Sequence, residues 1–155
     1  MSSPSYAVPS SMPSSMSSSP AAPSAPAAGP TSGALLLRRG IGAVGLLGIA
    51  LIHVIDLPGK LEETPYLGVG YGLLVVAALL LAEALRRRGD RVVWFATALL
   101  AASTVLGYVL SRTTGLPGAT DDIGNWLEPL GVASLFVEGV VVLLAGTALA
   151  ASARD

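Results

Sequence analysis

A membrane-spanning bundle of four α-helices is the fold class this sequence predicts, and three observations predict it. Of 155 residues, 52% are hydrophobic and only 12% charged, about half the charged share of an ordinary soluble domain. The apolar residues fall into four stretches, each near the ~20 residues that cross ~30 Å of hydrocarbon as a helix. None of the four carries the polar stripe that a helix buried in a soluble bundle would show. The same composition excludes other classes. Nine basic residues against ten acidic ones leave a net charge of −1 and no basic surface to neutralise phosphates, so no nucleic-acid partner is expected. With no cysteine, a disulfide framework, a thiolate zinc site, an iron–sulfur cluster and a cysteine nucleophile are all excluded.

The elements follow in chain order. Residues 1–33 hold twelve Ser, seven of the eleven Pro, no charged side chain and one aromatic, Tyr6. Such a segment cannot bury enough apolar surface to offset its ordering entropy and is predicted to be a disordered, cytoplasmic tail. It lacks the basic start and apolar run of a secretory signal. The transmembrane domain is predicted over 34–155, with spans at about 37–57, 65–85, 92–111 and 129–151. Backbone groups in lipid must be satisfied within the segment, so each span is read as a helix. Seven of the nine basic residues (Arg38, Arg39, Arg86, Arg87, Arg88, Arg91, Arg154) lie on one side of this topology, against Lys60 and Arg112 on the other. Basic residues stay inside, so both termini are expected in the cytoplasm and the loops 58–64 and 113–128 outside a bacterial plasma membrane.

The two helix pairs share a pattern. At an offset of 59 residues, LGIALIHVIDLPG (47–59) lies over LGYVLSRTTGLPG (106–118) with six identities in thirteen. After each Leu-Pro-Gly comes an acidic loop, then a proline that opens the next span, Thr64-Pro65 and Glu128-Pro129. Two similar hairpins related by an axis along the membrane normal are expected. Pro-Gly suits the centre of a type II turn, so each tripeptide is expected to end its helix sharply. Proline at a first helical position loses no hydrogen bond, with Thr64 and Glu128 as caps.

Small residues recur at helical spacing: Gly42, Gly45 and Gly48; Gly68 and Gly72; Ala98 and Ala102; Ser103 and Gly107. They let membrane helices approach closely, either within one bundle or between copies. Tyr66, Trp94, Phe95 and Trp126 fall at the depths of an aromatic belt. Glu83 precedes Arg87 by four residues, the order that favours a surface ion pair.

Polar residues at membrane depth are the candidate site. Glu138 lies nine residues past Pro129, about 13 Å below the outer boundary at ~1.5 Å per residue. A charged side chain there costs ~2.5–3.5 kcal/mol even on lenient insertion scales, which marks it as a functional candidate. It reads as a proton-carrying or cation-coordinating carboxyl, as a protonated carboxyl bonded across the bundle to Ser103, Thr104 or Tyr71, or as the counterpart of a partner subunit's cation. A second candidate is an outer polar cluster of His53, Asp56 and Arg112, with Asp121, Asp122 and Glu128 just above. His53 and Asp56 are three apart and share a helix face. An Asp56–Arg112 ion pair is the simplest expectation. The spacing fits no stringent metal motif, and a single histidine with all three methionines in the tail cannot ligate a transmembrane haem. No metal and no cofactor are expected.

No GxSxG, HExxH, Walker loop or CxxC occurs, so an enzyme is not expected. The strings SRTTGLPGATDDIGNWLEPLG (111–131), SLFVEG (134–139) and HVIDLPGKLEETPYLG (53–68) resemble a pattern of small multi-pass membrane proteins of actinobacteria. The resemblance covers roughly 37–150, and eight Arg to one Lys fits a high-GC genome. No activity is assigned to that group, so it implies a host range and four spans but no site residues. Two functions follow from the residues. One is a non-enzymatic accessory or scaffold protein in a larger membrane complex, in which Glu138 and Arg112 would meet partner charges. The other is a small-solute, proton or cation carrier, acting as a homo-oligomer through Glu138.

Overall fold

A computed structural model describes residues 32–154. Almost all of the predicted tail, together with Asp155, lies outside the described residues, but Ser32 and Gly33 form the first turn of a helix. The four helices are α1 (Ser32–Glu63), α2 (Pro65–Arg87), α3 (Arg91–Thr113) and α4 (Pro129–Ser152). Each is long and apolar enough to cross a membrane. Their outward faces carry Leu37, Leu51, Leu73, Leu80, Phe95, Leu99, Phe136 and Leu143, all exposed. A surface of this kind is stable only against lipid, and the chain is a multi-pass integral membrane protein.

The helices form a ring in which α1 packs chiefly on α2, α3 on α4, then α1 on α4, with α2 and α3 touching least. The Arg-rich α2–α3 turn marks one end of the bundle, and the 114–128 loop marks the other. The apolar core fills the arginine end, with Leu46, Ile49, Ala78, Leu85, Trp94, Val141 and Ala145 buried. The α1 glycines serve this core. A Cβ on Gly42 would lie 3.0 Å from the Trp94 ring, one on Gly45 2.5 Å from Val141 and one on Gly48 3.2 Å from Val137. That face is therefore internal packing. Gly68 likewise faces Leu61 of α1, whereas Gly72 opens onto free space, so the two do not form one shared seam. Trp94 is 1% exposed and belongs to the core, not to an aromatic belt.

The two Leu-Pro-Gly tripeptides adopt different structures. At 116–119 the expected turn forms: Ala119 N–H donates to Leu116 O at 2.8 Å, and Gly118 takes φ +71°. At 57–59 the helix instead runs on, with Pro58 inside α1, to Glu63. Proline here removes one hydrogen bond near the helix end, where Val54 and Pro58 are exposed, so the loss is small. At 32 residues, α1 is about 48 Å long, well over the ~30 Å that the hydrocarbon alone requires. Thr64 alone joins it to α2. Thr64 makes no side-chain cap; its N–H bonds Lys60 O, and its carbonyl accepts from Leu67 and Gly68. Glu128 does cap α4, accepting from Leu130 N–H at 3.0 Å and Gly131 N–H at 2.6 Å. Asp90 caps α3 in the same way. Glu83 pairs with Arg87 as expected, and also with Arg86.

Gly45→Ala should destabilise the bundle by about 1–3 kcal/mol through overpacking against Val141, and Val141→Ala should restore it. Thermal unfolding in detergent checks this, with Gly146→Ala, which lies inside α4 and meets nothing within 4 Å, as the control that is not destabilised.

Candidate functional site: a polar cavity between the four helices

Beyond the α1 glycines the bundle opens into a cavity of about 420 Å³ lined by all four helices and the 114–128 loop. Gly70 on α2 and Gly107 on α3 line it with nothing within 4 Å of a built Cβ, so absent side chains make part of the space. Six of the seven candidate residues line this one cavity: His53, Asp56, Arg112, Asp122, Glu128 and Glu138. Asp121 does not; it is exposed on the loop.

The floor is Glu138, 1% exposed. Its Oε1 accepts from Ser134 Oγ at 2.6 Å, one helical turn earlier on α4. None of the expected cross-bundle bonds forms. The hydroxyls of Ser103 and Thr104 donate instead to the α3 carbonyls of Leu100 and Ala101. Tyr71 instead packs edge-to-face with His53, with ring centroids 4.8 Å apart. The buried His53 bonds Ile49 O through Nδ1 at 2.9 Å. A carbonyl only accepts, so Nδ1 carries a hydrogen and Nε2 is the nitrogen that faces Glu138 Oε1 at 3.9 Å. That gap is too long for a hydrogen bond. Glu138 Oε2 is buried with no partner in either protonation state: ionised it lacks a donor, and neutral it lacks an acceptor.

The mouth is organised by Arg112, 7% exposed. Its Nη1 reaches Asp122 Oδ1 at 2.8 Å, its Nη2 lies 3.6 Å from Glu128 Oε2, and the guanidinium stands 5.0 Å over the Tyr108 ring. The expected Asp56–Arg112 pair is therefore not formed. Asp122 and Glu128, from the loop and the α4 cap, take the guanidinium instead. Lys60 bonds Glu63 at 3.0 Å and also reaches Asp122, at 3.4 Å. It can do so only because α1 continues through Pro58. The loop is further fixed by Tyr66 Oη donating to Pro117 O, Tyr108 Oη donating to Trp126 O, and Gly124 N–H donating to Arg112 O. Sequence reasoning missed Lys60, Tyr108 and Ser134 as site residues. Each left the same signal, a spacing of four from a candidate on one helix face: Ser134 before Glu138, Tyr108 before Arg112 and Lys60 after Asp56.

The fold and the site together define a four-span membrane protein with an ionisable cavity in one half of its bundle. No family model, no curated protein and no solved structure matches the chain.

Asp122→Asn should release the loop. The amides of Leu116, Ala119, Ile123 and Gly124 should exchange roughly tenfold faster, consistent with weakening the charge-assisted contacts to Arg112 and Lys60, while α1 and α2 amides stay protected. Hydrogen exchange read by mass spectrometry checks this.

Proposed function

We propose that the protein is a non-enzymatic small-solute carrier of a bacterial plasma membrane, with both termini cytoplasmic, the 114–128 loop outside and the solute bound in the cavity. The observation that carries this reading is the buried Glu138 Oε2, unpartnered at membrane depth on the floor of a cavity of ligand size. His53 Nε2 beside it offers a second site for a proton. The accessory-subunit reading needs partner charges for Glu138 and Arg112. Arg112 finds Asp122 and Glu128 in its own chain, and Glu138, 1% exposed between the helices, is out of reach of another subunit's charge, so that reading loses its specific support.

The chain has no cysteine, so each introduced thiol is the sole one. Thr120→Cys, on the loop, should react with a membrane-impermeant cationic thiosulfonate only from outside. Thr104→Cys and Ser111→Cys, in the cavity, should react from outside and, because a carrier exposes its site alternately, also from inside. Cavity thiols protected from the inner face under all conditions would rule out a carrier. A stoichiometric membrane protein retained through gentle-detergent purification would restore the accessory reading.

A further inference from the structure

We infer that the cavity takes a small organic ammonium ion, with its charge paired to the Glu138 carboxyl. This deepens the carrier reading and rests on it. The argument is one of charge balance among named groups. Both full cations that line the cavity are already engaged: Arg112 with Asp122 and Glu128, and Lys60 with Glu63 and Asp122. Asp56 and Glu138 have no Lys or Arg within 4.0 Å, and only the imidazole of His53, at 3.9 Å, stands near Glu138. An anionic solute would find no free cation and would meet these two carboxylates. A cationic one would supply the missing charge, and an ammonium N–H would donate to the Glu138 carboxyl after a small turn of the side chain, whose Oε2 is now buried without a donor.

The guest is organic because the surroundings suit no bare ion. Among the described residues no three His, Asp or Glu side chains stand together to hold a metal. A hard cation wants six or more oxygens close around it, and here an imidazole and a serine flank the carboxylate. The walls contributed by Ile52, Leu67, Leu74 and Leu130 are apolar and suit a hydrocarbon body. The volume admits a molecule of several heavy atoms.

The test is calorimetric titration of the intact protein in detergent with butylamine, benzylamine and phenethylamine, against benzyl alcohol, benzoate and sodium chloride. At least one amine should bind ten times or more tighter than the alcohol, the benzoate and sodium. Glu138→Gln should weaken it at least tenfold, and Asp56→Asn about threefold. Binding of the alcohol or benzoate as tight as the amines, binding of none of the amines, or wild-type amine affinity in Glu138→Gln would each overturn the inference. Should Glu138→Gln not accumulate, the wild-type series and Asp56→Asn decide; unchanged amine affinity in Asp56→Asn, or no preference for amine over alcohol, then overturns it. Amine binding with cavity thiols labelled from one side only would overturn the carrier and keep the site. Two-sided labelling with no amine bound would overturn the ammonium class and keep the carrier.

Discussion

Helices already in hydrocarbon gain nothing by turning leucine from lipid towards one another, so everything in this bundle depends on how closely backbones can approach. The glycines of α1 set that approach. Gly42 receives Trp94 and Leu85, Gly45 receives Val141 and Gly48 receives Val137. Dispersion along this short stretch binds α1 to the core at the arginine end. Farther along α1, the positions facing inward are His53, Asp56 and Lys60, and the small residues opposite them leave space. One half of the molecule is thus a packed core and the other half a polar vessel. The boundary falls where the α1 glycines stop.

The vessel is asymmetric in its electrostatics. At the mouth, charges are met within the chain: three carboxylates and an aromatic ring hold a guanidinium and an ammonium, with Asp122 shared between the two cations. At the floor, one carboxyl keeps an oxygen without any partner. A buried polar atom without a partner is a standing cost. At the mouth the Nε of Arg112 is in that state, but its two Nη atoms face carboxylates, whereas at the floor the unpartnered atom belongs to a carboxyl with no cation of Lys or Arg beside it.

The spans were legible because lipid imposes length and apolarity on every helix that crosses it, and each predicted span falls within its observed helix. The proline-initiated helices and the Glu128 cap were legible for a similar local reason. The two Leu-Pro-Gly sites were not. An identical tripeptide turns at 116–119, where the chain leaves a helix for a loop, and stays helical at 57–59, where Leu61 and Lys60 gain contacts by continuing. Local preference was overridden by packing that sequence does not display. The fold brings six of the seven candidate residues to one cavity, but their partners were not legible. The candidate list placed Glu138 and His53 in separate groups because they are far apart in sequence, and only the α1–α4 packing sets them 3.9 Å apart. It offered Arg112 to Asp56 and missed Asp122 as the nearer acceptor, since the path of a loop cannot be read from its composition.

The single-residue joint at Thr64 has a mechanical consequence. One residue spans at most ~3.6 Å, so α1 and α2 cannot separate at the mouth, while the segment 114–128 could extend to roughly 50 Å before restraining α3 and α4. At the opposite end, residues 88–90 tie α2 to α3 by a link of at most about 11 Å. The connectivity therefore fixes one rim of the opening and leaves the other free. A guest bulkier than the present space would be accommodated by the α3 and α4 side swinging away, pivoting near Gly89, along the α2–α3 line where the bundle already touches least.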